Sequence, residues 1–156
     1  MSIERVRAYF RQYGMEDRVL ELPESSATVE LAAQALHCEP CRIAKTLSFR
    51  VNETPILVVT AGDQKVDNAK YRHRFGVKAK MLTPQEASEL VGHAVGGVCP
   101  FAVNPGVQVY LDESLRRFDT IFPAAGSSNG VMRLTIGELE TYSGYSDWVD
   151  VCKPKQ

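Results

Sequence analysis

The sequence predicts a mixed α/β or α+β fold in one domain spanning residues 1–156, on three observations. Short apolar strand-like runs alternate with segments of helical period. The chain has 156 residues, 44% of them hydrophobic and 24% charged, and a chain of that length buries roughly 70% of its unfolded surface in a single core. No repeat, low-complexity tract or linker divides it.

Ile3, Val6, Phe10 and Tyr13 share one helical face, so a helix is predicted from Ser2 to Tyr13, ended by Gly14. Arg18 to Leu22 reads as a short strand closed by Pro23. Thr28 to Leu36 is helical, with Val29, Ala32, Ala33 and Leu36 apolar. Thr46 to Val51 alternates with period two, Asn52 to Pro55 turns, and Ile56 to Ala61 is continuously apolar. That pattern is a hairpin whose second strand is buried on both faces. Val66 to Phe75 is predicted helical and Lys78 to Leu82 a strand. Thr83-Pro84-Gln85-Glu86 has capping-box spacing and a proline at the first helical position, starting a helix that runs to about Val91. After the Gly- and Pro-rich stretch 92–106 come a strand Val107 to Leu111, a helical turn near Ser114 to Arg117 and a strand Thr120 to Phe122. Gly126 to Gly130 is a tight polar loop before a strand Val131 to Leu134. Thr135 and Glu138 cap a last helix, and Trp148 to Val151 is a closing strand.

Composition excludes several classes. The hydrophobic content rules out disorder, and 4 Cys in 156 residues are too few for a disulfide scaffold. No apolar run approaches the roughly 20 residues that span a bilayer. Met1-Ser2-Ile3-Glu4-Arg5 lacks the apolar core of a signal peptide, so a cytoplasmic protein with no membrane partner is expected. A net charge of −1 excludes bulk nucleic-acid binding. Residues 1–80 nevertheless carry 13 Lys/Arg against 10 Asp/Glu, and residues 81–156 carry 5 against 9. Lys65, Lys70, Arg72, Arg74, Lys78 and Lys80 concentrate the positive charge, either as a solvated helix face or as a phosphate-attracting patch.

Cys38-Glu39-Pro40-Cys41 has the spacing of a redox pair or half a zinc site, but it follows a helix rather than a strand. Cys99, Cys152, His37, His73 and His93 supply no second ligand pair, so no metal or cofactor is expected. The histidines pair with no Gly-x-Ser-x-Gly elbow or Cys-His signature. Three features remain. Lys45 stands where the chain enters a strand, placed either to reach the surface or to meet an anion in a cleft. Gly96-Gly97-Val98-Cys99-Pro100 can aim backbone N–H groups at a carbonyl oxygen or phosphate. Gly126-Ser127-Ser128-Asn129 adds hydroxyl and amide donors, and each loop alone is also ordinary turn chemistry.

Taken together these segments resemble the YbaK/EbsC family of aminoacyl-tRNA editing domains, free-standing or inserted in bacterial prolyl-tRNA synthetases. The resemblance runs from about Thr28 to Val151. It rests on Ile43-Ala44-Lys45-Thr46-Leu47-Ser48-Phe49, Ile56-Leu57-Val58-Val59 with Gly62-Asp63 and Val66-Asp67, Val95-Gly96-Gly97-Val98-Cys99-Pro100-Phe101, Val109-Tyr110-Leu111-Asp112 and Pro123-Ala124-Ala125-Gly126-Ser127, in shared order and spacing.

The resemblance implies a curved mixed sheet, approaching a partly closed barrel surrounded by helices, and a pocket for the aminoacyl-adenosine end of tRNA. It implies a trans-editing hydrolase in which Lys45 holds the terminal adenosine or aminoacyl group. In the same reading Gly96 and Gly97 meet the ester carbonyl, and Val98, Cys99, Pro100, Gly126, Ser127, Ser128 and Asn129 line the substrate. Lys65, Lys70, Arg72 and Arg74 become candidates for the tRNA backbone, and a prolyl-tRNA synthetase becomes a candidate partner. Alanine-specific relatives often carry histidine before the proline of the second loop. Here Phe122 precedes Pro123, and the run Pro123-Ala124-Ala125-Gly126-Ser127 resembles the cysteinyl-tRNA(Pro) deacylases, which favours cysteine over alanine, serine or threonine. The alternative is a non-catalytic module that binds a tRNA end, nucleotide or protein in the same pocket.

Overall fold

The computed structural model describes residues 2–22, 28–94 and 96–155. Pro23, expected to close the first strand, and Val95, expected at the head of the Gly-rich loop, lie outside the described residues. The elements are α1 (Ser2–Arg11), β1 (Leu20–Glu21), α2 (Val29–Leu36), β2 (Ile43–Val51), β3 (Thr54–Ala61), β4 (Gln64–Val66), α3 (Asn68–Phe75), α4 (Pro84–Glu86), β5 (Gln108–Asp112), β6 (Thr120–Pro123), β7 (Gly130–Val131), β8 (Leu134–Thr135), α5 (Ile136–Ser143), β9 (Asp147–Val149) and β10 (Cys152–Pro154). A π-helical turn, Ala87–Val91, extends α4.

The predicted hairpin is the centre of the molecule. β2 and β3 pair antiparallel from Ala44–Ala61 to Val51–Thr54. Around them six strands in the order β8-β6-β2-β3-β5-β9 form a curled, half-barrel sheet. β6 runs parallel to β2, β5 to β3 and β9 to β5. Two-stranded ribbons, β1–β7 and β4–β10, flank it. Alternation along β2 and β3 sends Ala44, Leu57, Val59 and Ala61 into one core with Val6 and Phe10 of α1 and with Phe101. On the opposite face Phe49, Ile56 and Val58 pack on Tyr71 of α3 and on Val149 and Val151. α2 covers Ile43 with Ala32 and Ala33.

Local chemistry places the helices. Thr83 and Thr135 both form the capping boxes their spacing predicts, with Glu86 and Glu138 returning to the cap nitrogens. The Thr28 hydroxyl caps α2, and the Asp67 carboxylate caps α3. Elsewhere the structure differs from the sequence expectation. The first strand begins as a 3₁₀ turn, Glu16–Arg18, and Val131 to Leu134 divides between β7 and β8 because these pair with different strands. Lys78 to Leu82 contributes only the Phe49–Met81 bridge. The closing strand stops at Val149. The backbone of Val151 then passes between the Asp112 carboxylate and the Asp67 N–H, and the chain continues as β10 beside β4.

Candidate active site

β6 pairs with β2 only at Ile43–Phe122 and Ala44–Pro123. Farther along that edge Leu82 donates its N–H to the Ser48 carbonyl at 3.1 Å, and Arg50 donates to the Lys80 carbonyl at 2.9 Å. Between these contacts, residues 45–47 have no strand partner on that side among the described residues. Backbone alternation turns the N–H and C=O of Thr46, like those of Ser48 and Arg50, toward the gap. A cavity of about 430 Å³ opens there. Val29 and Ala32 of α2 form one wall, Phe122, Ala124 and Val131 another, and Gly96 and Val98 of the Gly-rich loop face them.

Lys45 is the one ionisable side chain among the described residues that line this cavity. It is half-buried, and burial first, then the neighbouring Lys155 ammonium, holds its pKa below the ordinary lysine value. Loss of hydration makes its N–H donors ready to bind a polar group that enters the cavity. The remaining walls are mostly small and apolar, which suits a small uncharged group.

The structure brings the two predicted loops together. Gly126 donates its N–H to the Gly97 carbonyl at 3.0 Å, and a Cβ on Gly97 would stand 2.3 Å from the Ser127 nitrogen. Only glycine allows that approach. The Gly97 N–H is itself held by the Ala94 carbonyl at 3.0 Å. The Gly96 and Val98 N–H groups have no acceptor among the described residues, and both residues line the cavity.

Other predicted site residues lie behind this wall. Cys99 is fully buried, its Sγ 3.6 Å from His93 Nε2, and burial pushes its thiol up to about 12. Such a thiol is not a thiolate at neutral pH. Pro100 is buried and outside the lining. Ser127 donates its hydroxyl to Asn129 Oδ1, and Asn129 clasps Leu22 through its side-chain amide and its carbonyl. Those side chains fasten the second loop to β1. Ser128 is exposed, and from this segment Gly130 and Val131 reach the cavity.

The basic cluster divides. Lys70 is bound by Asp150 and the Cys152 carbonyl, and Arg74 by Asp147 with its guanidinium over Phe75 and Tyr110. Arg72 is exposed on α3, and Lys65 lies on β4. Cys38 and Cys41 are half-buried free thiols whose pKa values burial raises. Among the described residues no helix is long and apolar enough to cross a membrane.

Two cavity features escaped the sequence reading. Thr46 lines the cavity, and its buried hydroxyl has no hydrogen-bond partner among the described residues. Lys155 reaches Lys45 only because β10 pairs with β4.

An ammonium, backbone N–H groups lining the cavity and a small apolar enclosure can fix a carbonyl compound and stabilise negative charge developing on its oxygen. Comparison with known proteins identifies the family. The family model described as aminoacyl-tRNA editing domain matches residues 23–142. The protein YwhH of Bacillus subtilis (strain 168), itself uncharacterised, is 51% identical over 154 residues, covering 98% of each chain. A proline–tRNA ligase of Geobacillus sp. (strain WCH70) is 27% identical over 90 residues, which are 57% of this chain and 16% of the ligase. A crystal structure of a candidate trans-editing enzyme for prolyl-tRNA synthetase superposes with a TM-score of 0.88 at 32% identity, covering 97% of both chains. The chain belongs to the aminoacyl-tRNA editing domain family.

Proposed function

We propose that the protein is a trans-editing hydrolase that cleaves the ester of mischarged aminoacyl-tRNA, acting as a single domain over residues 1–156 in the cytoplasm. The observation that carries this reading is the half-buried Lys45 lining one small, mostly apolar cavity together with Gly96 and Val98 of the Gly-rich loop. An aminoacyl ester is already activated. Water adds to its carbonyl carbon, the ribose oxygen leaves with a proton, and free amino acid and tRNA result. The protein holds the aminoacyl-adenosine end through Lys45 and stabilises the developing oxyanion with backbone donors, each such donor contributing roughly 100- to 1,000-fold in rate.

The cavity walls of Val29, Ala32, Ala124 and Val131 favour a small uncharged amino acid. Cysteine on tRNA(Pro) is the first choice, followed by alanine, serine and threonine. The similarity to part of a proline–tRNA ligase supports tRNA(Pro) as the carrier and prolyl-tRNA synthetase as a partner. The test is loss of label from Cys-, Ala-, Ser- and Thr-tRNA(Pro) over time. Selective release of one amino acid supports the reading. Saturable binding with no release would make the protein a binding module instead.

A further inference from the structure

The β4–β10 ribbon carries a charge arrangement that folding alone does not explain. Its register sets Lys153 directly opposite Lys65, and both are exposed. Like charges directly opposite in an antiparallel pair are destabilising. Lys155 directly follows β10, while Cys152 and Gln64, on the ribbon face away from Lys153, are buried. Lys155 is fixed in position by its backbone N–H, which donates to the Asp63 carbonyl at 2.9 Å. From there its ammonium is close enough to Lys45, the cavity's own cation, to lower its pKa. Neighbouring ammonium groups repel, so this pair too is stabilised by an anion between or beside them.

Lys65 and Lys153 face each other on the ribbon, and Lys155 beyond them acts on the cavity's Lys45. Among the described residues none of them is in an ion pair, although the Asp67 carboxylate stands near Lys153. Lys70 and Arg74 on the neighbouring α3 are, in contrast, already neutralised by Asp150 and Asp147. Phosphodiester groups spaced along a strand are the anions that match successive cations leading into an enclosed site.

We propose that Lys65, Lys153 and Lys155 bind the phosphate backbone of the tRNA acceptor strand and lead its 3′ end to Lys45, and that Lys70 and Arg74 do not. This rests on the editing reading for the identity of the strand. The contacts are to phosphate, so they position the strand without reading its sequence.

The experiment is binding of uncharged tRNA to the intact protein across a salt series, for wild type, the triple variant Lys65→Gln/Lys153→Gln/Lys155→Gln, and Arg74→Gln. Three lost phosphate contacts reduce the slope of log affinity against log salt by about 2, and Arg74→Gln leaves it where it was. Thermal melting at low salt checks the fold: the triple variant should melt no lower than wild type, because a like-charge pair has been removed. A slope unchanged in the triple variant, a slope reduced by Arg74→Gln, or no saturable tRNA binding by wild type would each overturn the proposal. Ester hydrolysis, assayed separately, tells the two readings apart. A wild type that cleaves aminoacyl esters but ignores the ribbon loses only the ribbon contacts. One that binds through the ribbon and cleaves nothing keeps those contacts and loses the hydrolase.

Discussion

Gly97 and Gly126 join the two glycine-rich loops, the carbonyl of the first accepting the N–H of the second at 3.0 Å. The space for a side chain at Gly97 is filled by the backbone of Gly126 and Ser127. Gly97→Ala should separate the loops, cost about 1–3 kcal/mol by overpacking, and displace Gly96 and Val98 from the cavity wall. Denaturant unfolding and ester hydrolysis measured together test this. Unaltered stability and activity would show that the contact is dispensable.

Thr46 presents the opposite case, a buried hydroxyl with no partner among the described residues. An unsatisfied buried polar group costs about 1–3 kcal/mol, and valine keeps its shape. Thr46→Val should therefore raise stability by about 1 kcal/mol, read as a higher denaturant midpoint. A fall of the same size would mean the hydroxyl is satisfied in solution.

Thiol chemistry should divide the four cysteines. Burial pushes both Cys99 and Cys152 up to about 12, so at neutral pH neither presents a thiolate. Alkylation of the native protein followed by peptide mass spectrometry should label the half-buried Cys38 and Cys41 and spare the other two until the chain unfolds. Rapid native labelling of Cys99 would contradict its placement behind the loop.

His93 should make the protein acid-sensitive. Burial, opposed by its bond to the Phe101 carbonyl, lowers its pKa from 6.5. Below that pH the unfolded chain binds a proton that the folded chain does not, so stability falls as pH drops through and below 6.5. His93→Leu should flatten this part of the stability profile whatever its effect on the absolute value. An unchanged profile would assign the acid sensitivity to other groups.

Much of the framework was legible because its signals are local. The alternation of Thr46 to Val51 and the apolar run Ile56 to Val59 define the central hairpin, and Thr83-Glu86 and Thr135-Glu138 mark helix starts by side chains that bond within one turn. Lys45 at a strand entry and the two glycine-rich loops were visible as pieces. Their meeting was not. The cavity exists because β6 leaves β2 after Ala44 and Pro123, a long-range pairing that no local pattern encodes. Period two also places Thr46 and Lys45 on opposite faces, so only an open strand edge lets both line one cavity. β4 and β10 were missed because each is three residues long and interrupted by lysine, and with them went Lys155. The polar side chains of Ser127 and Asn129 also join their loop to Leu22, just past β1, a long-range contact that sequence alone does not show.

The most direct test of the central claim is hydrolysis of the preferred charged tRNA by Lys45→Ala beside wild type, with thermal melting of both. Removing the cavity's one ammonium should lower the single-turnover rate at least roughly 100-fold. The melting temperature should hold or rise, since a half-buried cation beside Lys155 is lost. Full activity in a folded Lys45→Ala protein would contradict the account.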